Sequence, residues 1–209
     1  MAFMVLERLL DTAVEHFGRR GFEGASTREI AAASGTAMSS ITYHFGGKEG
    51  LYLAVADHIA AQIAADQADV LTATHEIAGA SPAQATDLLL ALLESFARLM
   101  LAPESAAWSS FVVREQQYPT AAFERLYDGA MKRMAETFVT LVLRARPDLG
   151  DREARATVVT LYGQVMILRV GRASVCRIFD VDTLDAGTEA LLLARLRANA
   201  LSILSENAE

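Results

Sequence analysis

Residues 27–51 read TREIAAASGTAMSSITYHFGGKEGL, and this stretch decides the fold. Ser26 followed three residues later by Glu29 has the form of a capping box, which opens a short helix, Thr27 to Ala33. Gly35 breaks that helix and supplies the positive backbone dihedral of a turn. A second short helix is expected from about Ala37 to Tyr43, where the apolar spacing resumes. Gly46-Gly47 breaks the pattern again, and a long helix begins at Lys48. Ile30, Ile41 and Phe45 are apolar at spacings that point inward and fix the angle between the short helices. Two short helices joined by a tight turn and bracketed by longer ones describe a helix-turn-helix.

Upstream, Leu6, Leu10, Ala13, Val14 and Phe17 recur at helical spacing and mark a first helix over about residues 3–20. Gly21 then Phe22 reads as its stop, with glycine in a left-handed position and Phe22 folded back on the last turn. Downstream, Ser81-Pro82 opens a helix striped with Leu89, Leu92, Leu93, Phe96, Leu99 and Met100, and Pro103 ends it. Pro119 separates a helix around 106–117 from one around 120–146, which Pro147 and Gly150 close. A further helix runs from Asp151 to about Gly171, with Tyr162, Val165, Met166 and Arg169 on one face. The last spans about 185–206 and carries Leu192, Leu196, Leu201 and Leu204. No strand-like alternation is visible, so the class is all-α with roughly nine helices. The division expected is a helix-turn-helix domain over residues 1–50 and a C-terminal helical domain over 51–209.

The 209 residues are 52% hydrophobic and carry a net charge of −7, which by itself disfavours nucleic acid. The charge is uneven, however. Arg8, Arg19, Arg20, Arg28 and Lys48 balance Glu7, Asp11, Glu15, Glu23 and Glu29 within residues 1–48, so the remainder holds the whole excess. A DNA-binding surface therefore belongs at the N-terminal end and depends on local geometry. No apolar run is long enough to span a membrane. The stretch from Met1 to Leu6 is too short for a signal peptide, and Glu7 interrupts it, so a cytoplasmic location is expected. Cys176 is the one cysteine, which rules out an intrachain disulfide and a cysteine-cluster zinc site. His16, His44, His58 and His75 are scattered without metal-ligand or nucleophile–base spacing. No enzyme, cofactor or metal is expected.

The combination of Thr27, Ile30-Ala31, Gly35, Ile41, Tyr43-His44-Phe45, Lys48-Glu49 and Leu51 closely resembles the N-terminal domain of the TetR family of transcriptional regulators. The resemblance implies double-stranded operator DNA as partner, a homodimer and a small-molecule effector, with DNA binding in residues 1–50 and ligand binding and dimerisation in residues 51–209. Thr27, at a helix start, is placed to hold a phosphate with its hydroxyl and nearby amides. Tyr43 and His44 present polar tips at the end of the recognition helix, and Lys48 opens the next helix at a second phosphate. Base reading falls to the exposed face of the short helix: Ala37 and Met38 against thymine methyls, Ser39 and Thr42 to base edges, and Ser40 to phosphate or base. Met38 and His44 have an alternative reading as packing residues. Thr36-Ala37 stands where the family commonly has Val-Ser, and the Thr36 hydroxyl offers itself as a cap. Thr42 replaces a common aromatic.

Arg114-Glu115, Pro119-Thr120-Ala121-Ala122-Phe123, Leu126, Gly163-Gln164 and Arg169 resemble the C-terminal domain of the CecR (YbiH-like) branch. That resemblance implies a ligand-responsive repressor of export or drug-sensitivity genes. Trp108, Phe111, Tyr118, Phe123, Tyr127, Met131, Met134, Tyr162 and Met166 supply the adaptable side chains of an apolar pocket, or simply a core. Trp108, Phe111, Arg114, Tyr118, Tyr127, Tyr162, Met166 and Arg169 are the ligand-binding candidates. Arg114, Glu115, Gln164 and Arg169 are either polar anchors for a ligand or interhelical pairs. The Leu192, Leu196, Leu201 and Leu204 stripe either joins two protomers or closes the core of one. The competing functional class is a helical protein-interaction adaptor, against which Thr27, Tyr43 and Lys48 argue.

Overall fold

A computed structural model describes residues 2–73 and 79–205. Met1, His75 and Glu206 lie outside the described residues. Twelve α-helical segments and one π-helical turn occur among the described residues, and no strand. The helices are α1 (Ala2–Gly24), α2 (Thr27–Ala33), α3 (Met38–Phe45), α4 (Lys48–Asp66), α5 (Ala68–Ala73), α6 (Pro82–Leu101) and α7 (Ser105–Gln117). They continue with α8 (Ala121–Leu126), the π turn (Tyr127–Met131), α9 (Lys132–Ala145), α10 (Asp151–Val170), α11 (Arg172–Ile178) and α12 (Ala186–Ser205). The all-α class is confirmed. The count rises above nine because α5 and α11 are additional short helices, and because the π turn divides the stretch expected as one helix over 120–146.

The chain forms two compact units. One comprises residues up to Ala65 together with Glu104–Lys132, and the other Asp66–Pro103 with the residues from Arg133 onward. The sequence border at residue 50 thus falls inside α4, and α7 and α8 join the body that holds the helix-turn-helix.

In the first unit, α1 packs along α7. Leu9, Ala13, Val14 and Phe17 of α1 and Trp108, Phe111 and Val112 of α7 are all buried. Gly21 interrupts α1 at φ 70°, ψ 179°, a combination that only glycine adopts without strain. This is not the left-handed helical conformation expected there, but its consequence is the same: Phe22 turns back and stacks on Phe17 with centroids 6.4 Å apart. The ring of Tyr52 from α4 meets Phe17, Phe22 and Phe111 at 4.9, 5.1 and 4.6 Å, so one aromatic cluster ties α1, α4 and α7 together.

In the second unit, α6 buries Leu89, Leu92, Leu93, Phe96 and Met100, and α10 and α12 pack against it. Leu196 and Leu204 of α12 are also buried within this unit, whereas Leu201 is exposed. Half of the leucine stripe therefore closes the protomer's own core. The last carbonyls of α6 lack partners within their own helix. Arg169 donates to Met100 O at 2.8 Å and to Ala102 O, and Arg172 donates to Leu101 O at 3.1 Å.

Candidate nucleic-acid interface

The geometry of the helix-turn-helix follows from a few residues. Ile30, Ala31 and Ile41 are buried and Phe45 half-buried, so the inward faces of α2 and α3 meet as their spacing requires. Gly35 takes φ 67° in the turn between them. A residue with a Cβ would pay about 1–2 kcal/mol there. Ser34 is buried in the same turn and donates to Ala31 O at 3.1 Å, while its hydroxyl shares a 2.9 Å bond with the Thr36 hydroxyl. Thr36 is thereby engaged in the turn, and the N-cap of α3 is Ala37, which makes no side-chain cap bond.

The capping box expected at Ser26 and Glu29 does not form. Ser26 occupies the N-cap of α2 without a side-chain hydrogen bond. Glu29 is drawn away by a full charge, since its carboxylate accepts from the Arg20 guanidinium. The Arg20 guanidinium thus gives the Glu29 carboxylate a partner outside α2 in place of the Ser26 amide. A sequence-local rule does not register a partner nine positions upstream in another helix.

The expected recognition residues share the outward side of this motif. Met38 is 54% exposed and Tyr43 84%, values that remove the core reading for Met38. Ala37, Ser39, Thr42 and His44 are exposed, and Thr27 and Ser40 half-buried. His44 lies between the rings of its neighbours, 4.9 Å from Tyr43 and 6.3 Å from Phe45 by centroid.

Lys48 begins α4 as expected, but its ammonium is not idle. Nζ donates to Glu23 O at 3.2 Å and stands 4.7 Å from the centroid of the Phe22 ring. It thus ties the start of α4 to the end of α1. An ammonium has three donors, so the clamp leaves capacity for a phosphate. This tie was not legible in the sequence, because it joins residues 25 positions apart.

The residues singled out as ligand contacts serve several ends. Trp108 and Phe111 are core of the first unit. Arg114 is exposed, with its guanidinium lying over Gly21. Glu115 is buried and accepts from Tyr52 Oη at 2.6 Å, from Thr120 Oγ1 at 2.8 Å and from Thr120 N at 3.1 Å, so it is an interhelical pair. Tyr118 and Tyr127 are exposed, the latter stacked on Phe123. In the second unit, Tyr162 stacks on Phe96, Met166 is half-buried, and Gln164 accepts from Asn199 at 3.2 Å. Arg169 is spent on α6 carbonyls. No helix among the described residues is long and apolar enough to cross a membrane. No group of three or more metal-ligating side chains occurs among them.

Comparison with known proteins agrees with this geometry. Residues 9–55 match the family model for bacterial regulatory proteins of the tetR family, and residues 85–206 match that for the C-terminal domain of the HTH-type transcriptional dual regulator CecR. The CecR protein of Shigella flexneri is 30% identical over 177 residues, covering 81% of this chain and 77% of that one. The regulatory protein RaaS of Mycobacterium tuberculosis is 36% identical over 149 residues, covering 71% of this chain and 62% of that one. Among solved structures, a TetR-family regulator from Streptomyces coelicolor superposes with a TM-score of 0.65 at 20% identity, covering 96% of this chain and 94% of that one. FadR from Bacillus subtilis, solved in complex with stearoyl-CoA, superposes with a TM-score of 0.61 at 17% identity, covering 97% and 98%. The chain belongs to the TetR family of DNA-binding transcriptional regulators, which are not enzymes, and within it to the group that shares the CecR C-terminal domain.

Proposed function

We propose that this regulator acts in the cytoplasm as a homodimeric repressor of export or drug-sensitivity genes, released from its operator by a small apolar or aromatic molecule. The observation that carries the DNA-reading part is the exposed set Met38, Ser39, Thr42 and Tyr43 on one short helix that packs on α2, with Ile30 and Ile41 buried. Thr27, Tyr43, His44 and Lys48 would hold phosphates, and Ala37, Met38, Ser39, Ser40 and Thr42 would face the bases. One helix-turn-helix covers too little DNA for tight specific binding, so two protomers read a pseudo-palindrome with their recognition helices roughly 34–36 Å apart.

The effector part rests on the aromatic and methionine side chains and on FadR, whose structure contains stearoyl-CoA. Tyr118 and Tyr127 of the first unit are exposed and Tyr162 and Met166 of the second are half-buried; each pair is tested by itself as a set of effector contacts. Trp108 and Phe111 act through packing. The effector must prefer the state in which the two recognition helices no longer match successive grooves, since equal affinity for both states shifts nothing. A second reading follows from the name of the Shigella relative, a dual regulator: activation at some sites beside repression at others.

Trp108 is the one tryptophan, so its fluorescence reports effector titrations. A true effector shows two dissociation constants, with and without operator DNA. They differ by about 5–150-fold, the range of a 1–3 kcal/mol coupling, and DNA affinity changes by the same factor. Coincident constants would remove that molecule as effector.

A further inference from the structure

A groove of about 330 Å³ opens in the unit that holds the helix-turn-helix, lined by Phe22, Glu49, Tyr52, Leu53, Thr120 and Ala121. None of its lining residues lies on α3, and two of them, Phe22 and Tyr52, belong to the aromatic cluster that ties α1, α4 and α7 together. Its volume is in the range of small-molecule sites, which are mostly apolar with a few placed polar groups.

The side-chain polar atoms that Tyr52 and Thr120 bring to its wall are already committed. Tyr52 Oη donates to the buried Glu115 carboxylate at 2.6 Å, and Thr120 gives its hydroxyl and amide to the same carboxylate. The Thr120 hydroxyl also accepts from Ala122 N at 3.1 Å. Burial first, then the bond to Glu115, pushes the Tyr52 phenol well above its ordinary value, so this wall stays neutral. What the groove presents is therefore the half-buried Phe22 ring, the small uncovered part of the otherwise buried Tyr52 ring, and methyl groups. The rings of Phe22 and Tyr52 meet at 75° with centroids 5.1 Å apart and make an aromatic corner. The one ionised side chain in the lining is Glu49, which is exposed and has no ion pair or hydrogen-bond partner among the described residues.

An aromatic corner with a free carboxylate beside it is the arrangement that holds ammonium groups, through the negative ring faces and the opposite charge. Phe22 already serves in this way within the fold, since the Lys48 ammonium stands 4.7 Å from its centroid. Lys48 is itself anchored on Glu23 O and does not line the groove. Leu53 and Ala121 add apolar surface for a hydrocarbon body. We propose that this groove binds a lipophilic organic cation, a quaternary or protonated amine carrying an apolar or aromatic group, with Phe22 and Tyr52 against the cation and Glu49 as its counter-charge. The site is independent of the effector reading given above.

The test uses the full-length protein and benzyltrimethylammonium as the probe, titrated by calorimetry at low ionic strength. Saturable binding is expected, with weaker binding of neopentylbenzene, its neutral isostere. Phe22→Leu and Glu49→Gln should each weaken the probe by about two- to fivefold. Glu124→Gln, an exposed carboxylate outside the groove, should leave it unchanged. Glu49 is on the surface, so its variant keeps the fold even where Phe22→Leu loosens the aromatic cluster. No saturable binding at millimolar probe overturns the proposal. Binding that ignores Glu49→Gln, or that fails to distinguish the cation from its neutral isostere, overturns it equally.

Discussion

Lys48 and Thr42 separate the two kinds of contact expected of single residues at this interface. Lys48 has an internal role, visible in its bond to Glu23 O and its position over Phe22. If it also meets a phosphate, Lys48→Ala weakens binding to all sequences alike and lowers the slope of log affinity against log salt by about 1. An unchanged slope with a lower melting temperature would assign it to the clamp alone. Thr42 and Met38 are exposed on α3 and have no internal bond to lose. Replacing either should change affinity by about 1–3 kcal/mol at particular base pairs. A uniform loss across a base-substituted operator library would deny them a reading role. Much at this scale was legible: Ile30 and Ile41 are buried and Gly35 has a positive φ, because these are demands of one short turn on its own residues. The failures were partners remote in sequence. Glu29 serves Arg20 instead of capping α2, and Lys48 serves Glu23.

Among elements, the joint between α4, α7 and the start of α8 is a polar knot inside an aromatic cluster. Glu115 accepts three hydrogen bonds there, from Tyr52 and twice from Thr120. Bonds to a charged group contribute about 1.5–3 kcal/mol, so Tyr52→Phe should destabilise by that order. The phenol also sets a pH dependence. Its affinity for the proton is raised on folding, chiefly by burial and then by Glu115. Its contribution is complete below the ordinary tyrosine value near 10 and declines as pH rises toward the folded value. Chemical denaturation followed from neutral to strongly alkaline pH should show a steeper loss of stability in the native protein than in Tyr52→Phe. Equal slopes would mean that the buried phenol does not hold its proton more tightly than the unfolded chain does. The sequence marked Glu115 as either a ligand anchor or an interhelical pair, and the pair is what formed. Burial favours it, since an isolated carboxylate at this depth would be costly. The π turn at Tyr127–Met131 and the short helices α5 and α11 had no periodic signal of their own, being too short to display one.

On the scale of the whole molecule, reading a pseudo-palindrome requires two protomers. Leu196 is only 6% exposed and Leu204 is likewise buried within one protomer, so charges placed there would unfold it and say nothing about assembly. The surface left for a partner is different. Val159 of α10 is 69% exposed, and Ile167 and Val170 follow it on the same helix at spacings that keep them on one face; Leu191 and Leu201 of α12 are also exposed. Val159→Asp with Ile167→Asp should therefore give a folded monomer at micromolar concentration by sedimentation and circular dichroism. A dimer that survives both substitutions would place the interface elsewhere. A heptad-like stripe alone was ambiguous between these outcomes, because α12 turns one face inward and another outward, and both carry leucine. A dimer of this regulator is expected to read a specific duplex through α3. The most direct measurement is a fluorescence-anisotropy titration of the full chain with the DNA upstream of its own gene against a scrambled duplex, at fixed salt near physiological. The specific affinity expected is about 10⁻⁸–10⁻¹¹ M, roughly a thousandfold or more tighter than for the scrambled duplex, and lost with Tyr43 and Thr42 both replaced by alanine. Equal affinity for the two duplexes, or specific binding untouched by those replacements, would contradict it.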